Sequence, residues 1–555
     1  MAVCETQFFF SSGSDDDDQP EDDADVGLWM NILGEDEGPR TFPFTAAPGP
    51  MHVPRADSSP LDFAKTFISD ELVNLLVLET NRYADQWIES QRDYLTQKPY
   101  SRVHIWIKIG HTTLEEMWAF LAIVINIGLV RKPTLFSYWD SANPSQSTSW
   151  FIKHFNRDRF FLLLKFLHFA DNQDQPPQND PAHKTYKIKP VVDYFNRKFK
   201  RHYKPSEDIS IDESMVGYKG RTPHLRQYMP NKHHARFGIK LWCLCDSRSS
   251  YTVRVEVYKG VEEVRNEEGA TYALVMRLIE GANLLHSGYH LGLDNYFSSP
   301  KLAIDLFGAH TTCTGTVRKN RKGLSPTVKS ASLRNKEVCE RRKGNLLAVA
   351  YKDGSKRPIL ISTKAKAGFS DVTNSKGKQR NVPNIVALYN ASMGGVDMSD
   401  ARLYSYLSDR RTMKWTSKVF FSLLGRGLLN SYIIYSETTS DRPVKTRYQY
   451  MVSVVEGMVG DYQPPAKIVK KRRSKTEIAA ARLTPTQVAP PAPDQFVQPA
   501  APLCTLSKLP VSKKRNCVNN HTSRVRSGWE CKVCDVGLCP TCFAPYHRAK
   551  RPRQQ

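Results

Sequence analysis

The chain has 555 residues, 40% of them hydrophobic and 10% aromatic, which predicts several folded domains with apolar cores. Lys and Arg number 79 against 56 Asp and Glu, a net charge of +23, although the first 40 residues hold twelve acidic residues and one Arg. A basic exterior of this size predicts nucleic acid as the partner. The longest apolar run, residues 117–130, is too short to span a bilayer, and no secretory signal is visible, so we expect an intracellular protein without a membrane part.

The first two predicted segments are an acidic tail and a helical region. Residues 1–60 are acidic and rich in Ser, Pro and Gly, so they bury too little apolar surface to offset their ordering entropy and are predicted to be disordered. Residues 61–204 carry apolar side chains at helical spacing and are predicted to be all-helical. Within this region, Thr113-Leu114-Glu115-Glu116 predicts a capping box at the start of an apolar helix over 117–130.

Residues 205–317 change from helical spacing to short apolar strands. A strand at Ile209–Ser214 is followed by a hairpin of Phe237–Cys245 and Tyr251–Tyr258. A helix, a strand, a second helix and a further strand follow at Ala270–Glu280, Tyr289–Leu293, Pro300–Phe307 and Thr311–Val317. Three strands followed by alternating helices and strands predict an α/β fold with a mixed sheet, in the element order of an RNase H-like core.

The rest of the chain is predicted to contain an insertion, late helices, a linker and a terminal module. Residues 318–390 are predicted to be a basic insertion, because 318–344 holds ten Lys or Arg against two Glu and irregular sequence follows to about Val382. Helical spacing returns in 391–460, which is predicted to complete the core with its final helix and an apolar helix at Val419–Tyr435. Residues 461–516 contain nine prolines and are predicted to be a linker, and a Cys- and His-rich module occupies 517–555.

Aspartates follow apolar strands at two places and open a helix at a third. Asp212 and Asp294 lie at predicted strand ends, and Asp397 with Asp400 lies on one helical face after Gly394-Gly395. Taken singly, each strand-end Asp is more commonly a turn residue, and Asp397 is explained equally well as a helix cap. Together on a basic protein, three carboxylates suit two hard divalent cations, Mg²⁺ or Mn²⁺, and phosphodiester chemistry.

From about residue 62 to the C-terminus, an ordered series of motifs resembles the piggyBac transposases. The motifs are Ser210-Ile211-Asp212-Glu213, Gly217-Tyr218-Lys219-Gly220-Arg221, Met229-Pro230-Asn231-Lys232, Phe237-Gly238-Ile239-Lys240, Asp294-Asn295-Tyr296-Phe297, Gly315-Thr316-Val317-Arg318-Lys319-Asn320, Gly394-Gly395-Val396-Asp397 with Asp400, and Asn430-Ser431-Tyr432.

The resemblance implies a specific fold and activity. It implies an RNase H-like catalytic core interrupted by an insertion domain, within a protein that dimerises and binds double-stranded DNA through its helical region. It maps Asp212, Asp294 and Asp397 onto the family's catalytic aspartates and Asp400 onto a nearby Asp tied to activity. It also implies cut-and-paste transposition at TTAA target sites. The alternative is a host-adopted descendant that binds DNA as a regulator and no longer cuts it, although the intact aspartates favour an enzyme.

Basic residues near these motifs are candidate contacts to DNA. Lys219, Arg221, Arg226 and Lys232 follow Asp212, and Arg318, Lys319, Arg321 and Lys322 open the basic insertion. Arg411, Lys414 and Trp415 combine positive charge with an aromatic ring, and stacking of Trp415 on an unpaired base is worth about 1–3 kcal/mol. For any single residue of the group that follows Asp212, a solvated basic loop is the commoner explanation, and Trp415 could equally anchor the following core helix.

The C-terminal module carries a strong zinc pattern. Its seven candidate ligands are Cys517, His521, Cys531, Cys534, Cys539, Cys542 and His547. Paired thiolates and imidazoles at these spacings are typical of closed tetrahedral Zn²⁺ sites. Two interleaved ions would pair Cys517 and His521 with Cys539 and Cys542, leaving the other three for a second ion with one ligand unidentified. Because the module is basic, we expect it to bind DNA, the alternative being a protein-interaction module.

Three exposed basic clusters predict a nuclear protein. Lys470–Arg473, Lys513–Arg515 and Lys550–Arg553 each have the composition of a nuclear-localisation signal. A nuclear address fits a protein whose predicted partner is chromosomal DNA.

Overall fold

The computed structural model describes residues 29–465 except 223–224, 231, 233–234, 261–267, 374–376, 378, 409–411 and 440–442. In the C-terminal part it describes residues 506–509, 515–518, 526–531, 534–540, 542 and 546. The chain divides into two compact units, Met1–Ile468 and Val469–Gln555, and each is treated by itself. In the described parts of the chain, every helix is too short or too polar to cross a bilayer.

The first unit opens with the predicted helical region. Strand β1 (Gly49–Pro50) pairs with β2 (Tyr203–Lys204), and eight helices come between these two strands in the sequence. The helices are α1 (Pro60–Lys65), α2 (Asp70–Ser90), α3 (Arg92–Gln97), α4 (Val103–Ile109), α5 (Leu114–Leu129), α6 (Ser149–His154), α7 (Arg157–Phe166) and α8 (Lys189–His202). Short 3₁₀ turns occupy Phe136–Trp139, Pro144–Gln146, Pro181–Lys184 and Tyr186–Ile188. The prediction of an all-helical region is confirmed for these segments.

Helix α5 begins as predicted, but its capping box is only half formed. The Thr113 hydroxyl accepts a hydrogen bond from the Glu116 N–H at 3.2 Å. The Glu116 carboxylate, however, accepts from Arg159 Nε and Nη2 at 2.9 and 2.8 Å. Arg159 is fully buried, with its guanidinium carbon 4.2 Å from the ring centroid of Trp106. The reciprocal bond of the box is lost because a buried guanidinium needs a carboxylate partner.

The centre of the unit is a mixed sheet with helices beside it, as predicted. Its first elements are β3 (Asp208–Gly217), β4 (Arg226–Tyr228), β5 (Phe237–Asp246), β6 (Thr252–Val257), α9 (Ala270–Ala282), β7 (His290–Leu293), α10 (Pro300–Gly308) and β8 (Thr312–Val317). Strands β3, β7 and β8 are parallel neighbours, whereas β5 is antiparallel to β3 and β6 is antiparallel to β5. The resulting order, β6-β5-β3-β7-β8, is that of an RNase H-like sheet.

Part of the predicted insertion extends this sheet. Its elements are α11 (Pro326–Ser330), β9 (Val338–Lys343), β10 (Leu346–Tyr351), β11 (Ile359–Ser362), β12 (Phe369–Thr373) and β13 (Gln379–Pro383). Strand β11 pairs with β8, β10 with β11, and β9 with β10, all antiparallel, while β12 and β13 form a separate hairpin. The expectation of irregular sequence up to about Val382 is therefore wrong, because the apolar run of β10 is buried in the sheet.

Four helices complete the first unit. They are α12 (Asn384–Ser392), α13 (Gly395–Tyr406), α14 (Trp415–Thr438) and α15 (Arg447–Val459). Helix α13 packs against β3 and β5, and α14 is largely buried among α1, α8 and α13. The late helices thus return the chain to the part of the sheet where the pairing of β3 with β7 ends.

Residues 29–60 do not form the predicted disordered tail. The Trp29 indole N–H donates to the Gly323 carbonyl oxygen at 3.3 Å, and the Asp36 carboxylate pairs with Arg342. Phe42 stacks on His310 with 4.6 Å between ring centroids. These anchors hold the segment on the folded body, so the acidic composition of residues 1–60 led to a wrong prediction for the part from Trp29 onward.

The described residues of the second unit form short antiparallel strands. They are β14 (Leu506–Lys508), β15 (Arg515–Asn516), β16 (Arg526–Ser527), β17 (Trp529–Cys531) and β18 (Val536–Gly537). Strand β17 pairs with β14 and β18, and β15 pairs with β16. The small core contains Cys531, Leu538 and Cys542, so two of the predicted metal ligands lie inside this unit.

Candidate active site

Two of the predicted aspartates lie at adjacent positions of neighbouring parallel strands. Asp294 directly follows the last residue of β7, as predicted, but the prediction that Asp212 ends its strand is wrong, because β3 continues past it to Gly217 in its pairing with β5. Ile211 of β3 is paired with Leu293 of β7, so Asp212 and Asp294 are the next residues along the two strands. Adjacent strands are about 4.8 Å apart, which brings both carboxylates to one edge of the sheet. Burial is high for both residues, with 9% of Asp212 and 8% of Asp294 exposed.

The third aspartate comes from the first turn of α13. Gly394 adopts a left-handed backbone with φ +108° just before the helix. At Gly395 an added Cβ would lie 2.6 Å from the Ser210 hydroxyl oxygen and 2.9 Å from the Asp246 carbonyl oxygen. Glycine is therefore required for α13 to approach the sheet this closely, and that approach carries Asp397 to the edge where Asp212 lies.

An ammonium group lies between two of these carboxylates. Lys232 Nζ is 3.1 Å from Asp397 Oδ1 and 3.6 Å from Asp212 Oδ2. Burial, with the neighbouring Glu213 and Asp397, raises the pKa of Asp212 well above its ordinary value, and Lys232 opposes that rise. The aspartates hold the pKa of Lys232 above its usual range despite its burial. Lys232, a predicted DNA contact, is directed to the carboxylates.

Asp294 is fixed by its own hydrogen bonds. Its Oδ1 accepts from the Asn295 N–H at 2.6 Å and from the Thr316 hydroxyl at 3.1 Å. Burial raises the pKa of Asp294, and these two bonds only partly offset the rise. Tyr389 of α12 is buried near this site, since its phenol hydrogen-bonds with Thr316, the residue that also contacts Asp294. Burial and the charge of Asp294 raise the pKa of this phenol, and the bond to Thr316 opposes the rise. Sequence reasoning missed Tyr389, which lies outside every motif.

Asp400 faces away from this edge. Its Oδ1 accepts from Arg426 Nη2 at 2.6 Å and from the Ser214 hydroxyl at 2.8 Å. With 4% of the residue exposed, Asp400 lies in the interior between α13 and α14. Lys232 thus joins Asp212 and Asp397, and Asp294 lies at the neighbouring strand position, whereas Asp400 belongs to a buried group. The oxygens of the three carboxylates do not all lie within 4.8 Å of one another, a separation that only Cys517, Cys539 and Cys542 meet among the described residues.

Most of the other predicted DNA contacts are exposed. Lys219, Arg221, Arg226, Lys319 and Lys322 are exposed. Arg318 and Arg321 are half-buried beside Tyr296. The guanidinium carbon of Arg318 lies 5.8 Å from the centroid of the Tyr296 ring, and Arg321 Nη2 donates to the Tyr296 carbonyl oxygen at 2.6 Å. Arg411 lies outside the described residues.

Lys414 and Trp415 are turned toward the protein. The Lys414 ammonium donates to the carbonyl oxygens of Leu164 and Lys165, at the C-terminal end of α7, where helix carbonyls lack intrahelical partners. Trp415 is half-buried and packs against the main core. The anchoring alternative fits these contacts better than the stacking one.

The lysine contact gives a testable pH dependence. Burial, followed by the charge of Lys165, lowers the pKa of Lys414 to about 8. The unfolded chain holds this proton up to about pH 10.4, so between these values unfolding takes up a proton and wild-type stability rises with pH. We expect the free energy of unfolding of wild type minus that of Lys414→Met to increase from pH 8 to 9.5, by at most about 1.4 kcal/mol per pH unit. Urea denaturation at several pH values measures this difference, and a flat or falling difference would contradict the assignment.

Three cysteines of the second unit converge as the interleaved arrangement predicts. The Sγ atoms of Cys517, Cys539 and Cys542 all lie within 4.8 Å of one another, and Cys517 and Cys539 Sγ are 3.9 Å apart. Three thiolates at this separation fit a tetrahedral metal site. Cys531 and Cys534 lie in the same unit, whereas His521 and His547 lie outside the described residues.

Comparisons with known proteins agree with this architecture. The family model described as Transposase IS4 matches residues 59–432. PiggyBac transposable element-derived protein 3 of Homo sapiens is 25% identical over 506 residues, covering 88% of this chain and 76% of the relative. PiggyBac transposable element-derived protein 2 of Homo sapiens is 25% identical over 408 residues, covering 70% of this chain and 63% of that protein.

A solved structure shares the fold. It is the cryo-EM structure of a piggyBac transposase synaptic complex with hairpin DNA, with a TM-score of 0.65 at 24% identity, covering 90% of this chain and all of the other. The family match spans more than half of the chain and includes the three clustered aspartates. The chain belongs to the piggyBac transposase family.

Proposed function

We propose that this chain is a DNA transposase that cuts and joins phosphodiester bonds by cut-and-paste transposition. The observation that carries the proposal is the placement of Asp212 on β3, Asp294 after the neighbouring parallel strand β7 and Asp397 on a late helix that Lys232 links to Asp212. These residues come from segments far apart in the chain. Asp212 and Asp294 are buried, and buried carboxylates cost stability unless a cation compensates them, so their placement is better explained by function than by folding.

The residues of this edge fit divalent cations. Carboxylate oxygens are the ligands that Mg²⁺ and Mn²⁺ prefer, and the Lys232 ammonium between Asp212 and Asp397 marks a place where positive charge is stabilised. Asp212, Asp294 and Asp397 would hold two such ions. When bound, the ions supply activation of the attacking oxygen and stabilisation of the leaving one. Asn295 and Thr316 orient the Asp294 carboxylate through their hydrogen bonds.

Double-stranded DNA is the proposed substrate, both as transposon ends and as target. Exposed Lys219, Arg221 and Arg226 follow the strand that carries Asp212, and exposed Lys319 and Lys322 follow β8, whose Thr316 contacts Asp294. These side chains offer positive charge for contacts to DNA phosphates. The solved relative is a synaptic complex with hairpin DNA, which supports a DNA substrate. TTAA target sites, a homodimeric assembly and a nuclear location belong to the same proposal.

The C-terminal module is proposed to hold two zinc ions and to bind DNA. The converging thiols of Cys517, Cys539 and Cys542 support one of the two sites. We expect Cys542→Ser to lower the zinc content of purified protein by about one ion per chain, because a closed site needs all of its ligands. Elemental analysis of wild type, this variant and Cys339→Ser measures the content. Cys339 lies on β9 in the first unit and serves as the control, and equal zinc in all three proteins would contradict the site.

The second candidate function is a DNA-binding regulator that no longer cuts. Its support is that the similar human proteins are named as transposable element-derived. An excision assay separates the two functions: a marked donor flanked by TTAA sites is supplied with the chain, and repair of the donor is scored. Precise excision above background supports the transposase, whereas DNA binding without excision supports the regulator.

A further inference from the structure

Behind the candidate active site lies a buried charged cluster that joins three elements. Arg426 of α14 is fully buried, and its Nη2 donates to Asp400 Oδ1 at 2.6 Å and to the Ser214 hydroxyl oxygen at 2.7 Å. Ser214 in turn donates to the same Asp400 oxygen at 2.8 Å. We call Ser214, Asp400 and Arg426 the buried clamp.

Two members of the clamp lie on the same elements as the carboxylates, only a few residues further along the chain. Ser214 is two residues after Asp212 on β3, and side chains two apart lie on the same face of a strand. Asp400 is three residues after Asp397 on α13, which places them on neighbouring positions of one helical face. The contact between Ser214 and Asp400 therefore fixes the strand and the helix that carry Asp212 and Asp397.

Further hydrogen bonds hold Arg426 itself in place. Its Nη1 lies 3.3 Å from the Thr252 hydroxyl oxygen and 3.5 Å from that of Ser399. Four residues along α14, Asn430 exchanges two hydrogen bonds with the Thr252 backbone, at 2.9 and 2.8 Å. The orientation of the Arg426 guanidinium is therefore fixed by contacts with β6 and with its own helix α14. Because Asp400 is bonded to this guanidinium, its position is restricted as well.

Stability alone does not account for a buried ion pair at this place. Removing two charges from water is costly, and an apolar pair of similar volume in the same position is commonly as stable or more stable. A planar guanidinium with fixed donor directions, by contrast, defines the separation of the groups that it joins. The clamp is suited to setting distance more than to adding stability.

We propose that Arg426 is a positioning residue that acts through Asp400 and Ser214 to set the separation of the Asp212 and Asp397 carboxylates. Asp400 then serves the reaction by orienting α13 and is not itself a ligand of the ions. This inference rests on the proposed function, because the separation matters only if the carboxylates share divalent cations.

The test uses the full chain and Mn²⁺ as the probe. The main variant is Arg426→Met combined with Asp400→Leu, which replaces the pair by apolar side chains so that the fold is retained. We expect its thermal midpoint to stay within a few degrees of wild type. We expect its affinity for Mn²⁺, followed by calorimetry and by the Mn²⁺ electron paramagnetic resonance spectrum, to fall about ten-fold or more. Asp193→Asn, an exposed substitution on α8, should leave affinity and spectrum unchanged.

Two more variants keep the result interpretable. Ser214→Ala removes one member of the clamp without leaving a charge unpaired, so it should fold even if the double variant does not, and Mn²⁺ affinity should fall about three-fold. Arg426→Lys keeps the charge but loses the two directed donors, so it should bind Mn²⁺ more weakly than wild type.

The outcomes distinguish the clamp from the site. Wild-type affinity and spectrum in the folded clamp variants, together with lost Mn²⁺ binding in Asp294→Asn, would overturn the positioning role alone. Identical Mn²⁺ binding by wild type and Asp294→Asn would instead remove the cation site, and the proposed function would fall with this inference.

Discussion

Asp294→Asn is expected to reduce the rate of DNA cleavage at transposon ends by about 10³-fold or more. Asn has the same shape and can still accept the hydrogen bonds from the Asn295 N–H and the Thr316 hydroxyl, so the local structure should persist. It lacks the charge that a divalent cation requires, and the transition state loses that stabilisation. Purified wild type and variant are compared on labelled end DNA with Mg²⁺ or Mn²⁺, under single-turnover conditions.

The same substitution should not destabilise the protein. Burial raises the pKa of Asp294, which means that its ionised form is held at a cost in folding free energy. A neutral amide removes that cost, so we expect an unchanged or higher thermal midpoint together with lost cleavage. Asp193→Asn on the surface of α8 is the matched control and should cleave as wild type does. Cleavage by Asp294→Asn within ten-fold of wild type would remove this residue from the reaction.

Arg159→Met is expected to lower the free energy of unfolding by about 3–5 kcal/mol. The substitution leaves the carboxylate of Glu116, which is 5% exposed, buried without the two charged donors that it has in wild type. It also removes the guanidinium from the face of Trp106. Chemical denaturation monitored by fluorescence and by circular dichroism gives the difference between the two proteins.

An exposed ion pair provides the control for this effect. Arg92 pairs with Glu89 at 2.5 Å, but both side chains are about two-thirds exposed or more, at 73% and 67%. Pairs of this kind contribute about 0–1 kcal/mol, so Arg92→Met should change stability very little. Equal losses in the two variants would show that burial of Glu116 is not the source of the effect.

The position of Asp294 could be predicted because the end of a short apolar strand is a local feature of the sequence. Asp212 was predicted beside it for a partly wrong reason: its strand continues to Gly217, and only the pairing of β3 with β7 ends before it. Asp397 was predictable for a related reason, since paired glycines before a helix permit close packing. The mixed sheet and the hairpin of β5 and β6 follow from the same local signals.

The buried clamp could not be predicted because its partners are distant in sequence. Arg426 lies within an apolar helix, where a single basic residue carries no signal, and its partner Ser214 is 212 residues away. Asp397 and Asp400 share a helical face, but that spacing does not say which of them lies next to Asp212. The contacts of Lys414 could not be predicted either, since its carbonyl partners lie on α7.

Average composition led to wrong predictions of disorder or irregular structure in two other segments. The many acidic residues before position 40 favour a prediction of disorder. Trp29 and Phe42 nevertheless hold this segment on the folded body through their contacts with Gly323 and His310. In the insertion, the basic residues of β9 obscured the apolar run of β10, which completes the sheet beside β11. In both segments the ordered structure depends on the burial of a few particular side chains, which average composition does not indicate.

The most direct measurement is an anomalous difference map from the full chain bound to cut-end DNA and Mn²⁺. The account predicts two peaks among the carboxylates of Asp212, Asp294 and Asp397, with the Lys232 ammonium withdrawn from its place between Asp212 and Asp397. Peaks confined to other parts of the protein, with Lys232 still bridging the two carboxylates, would contradict it.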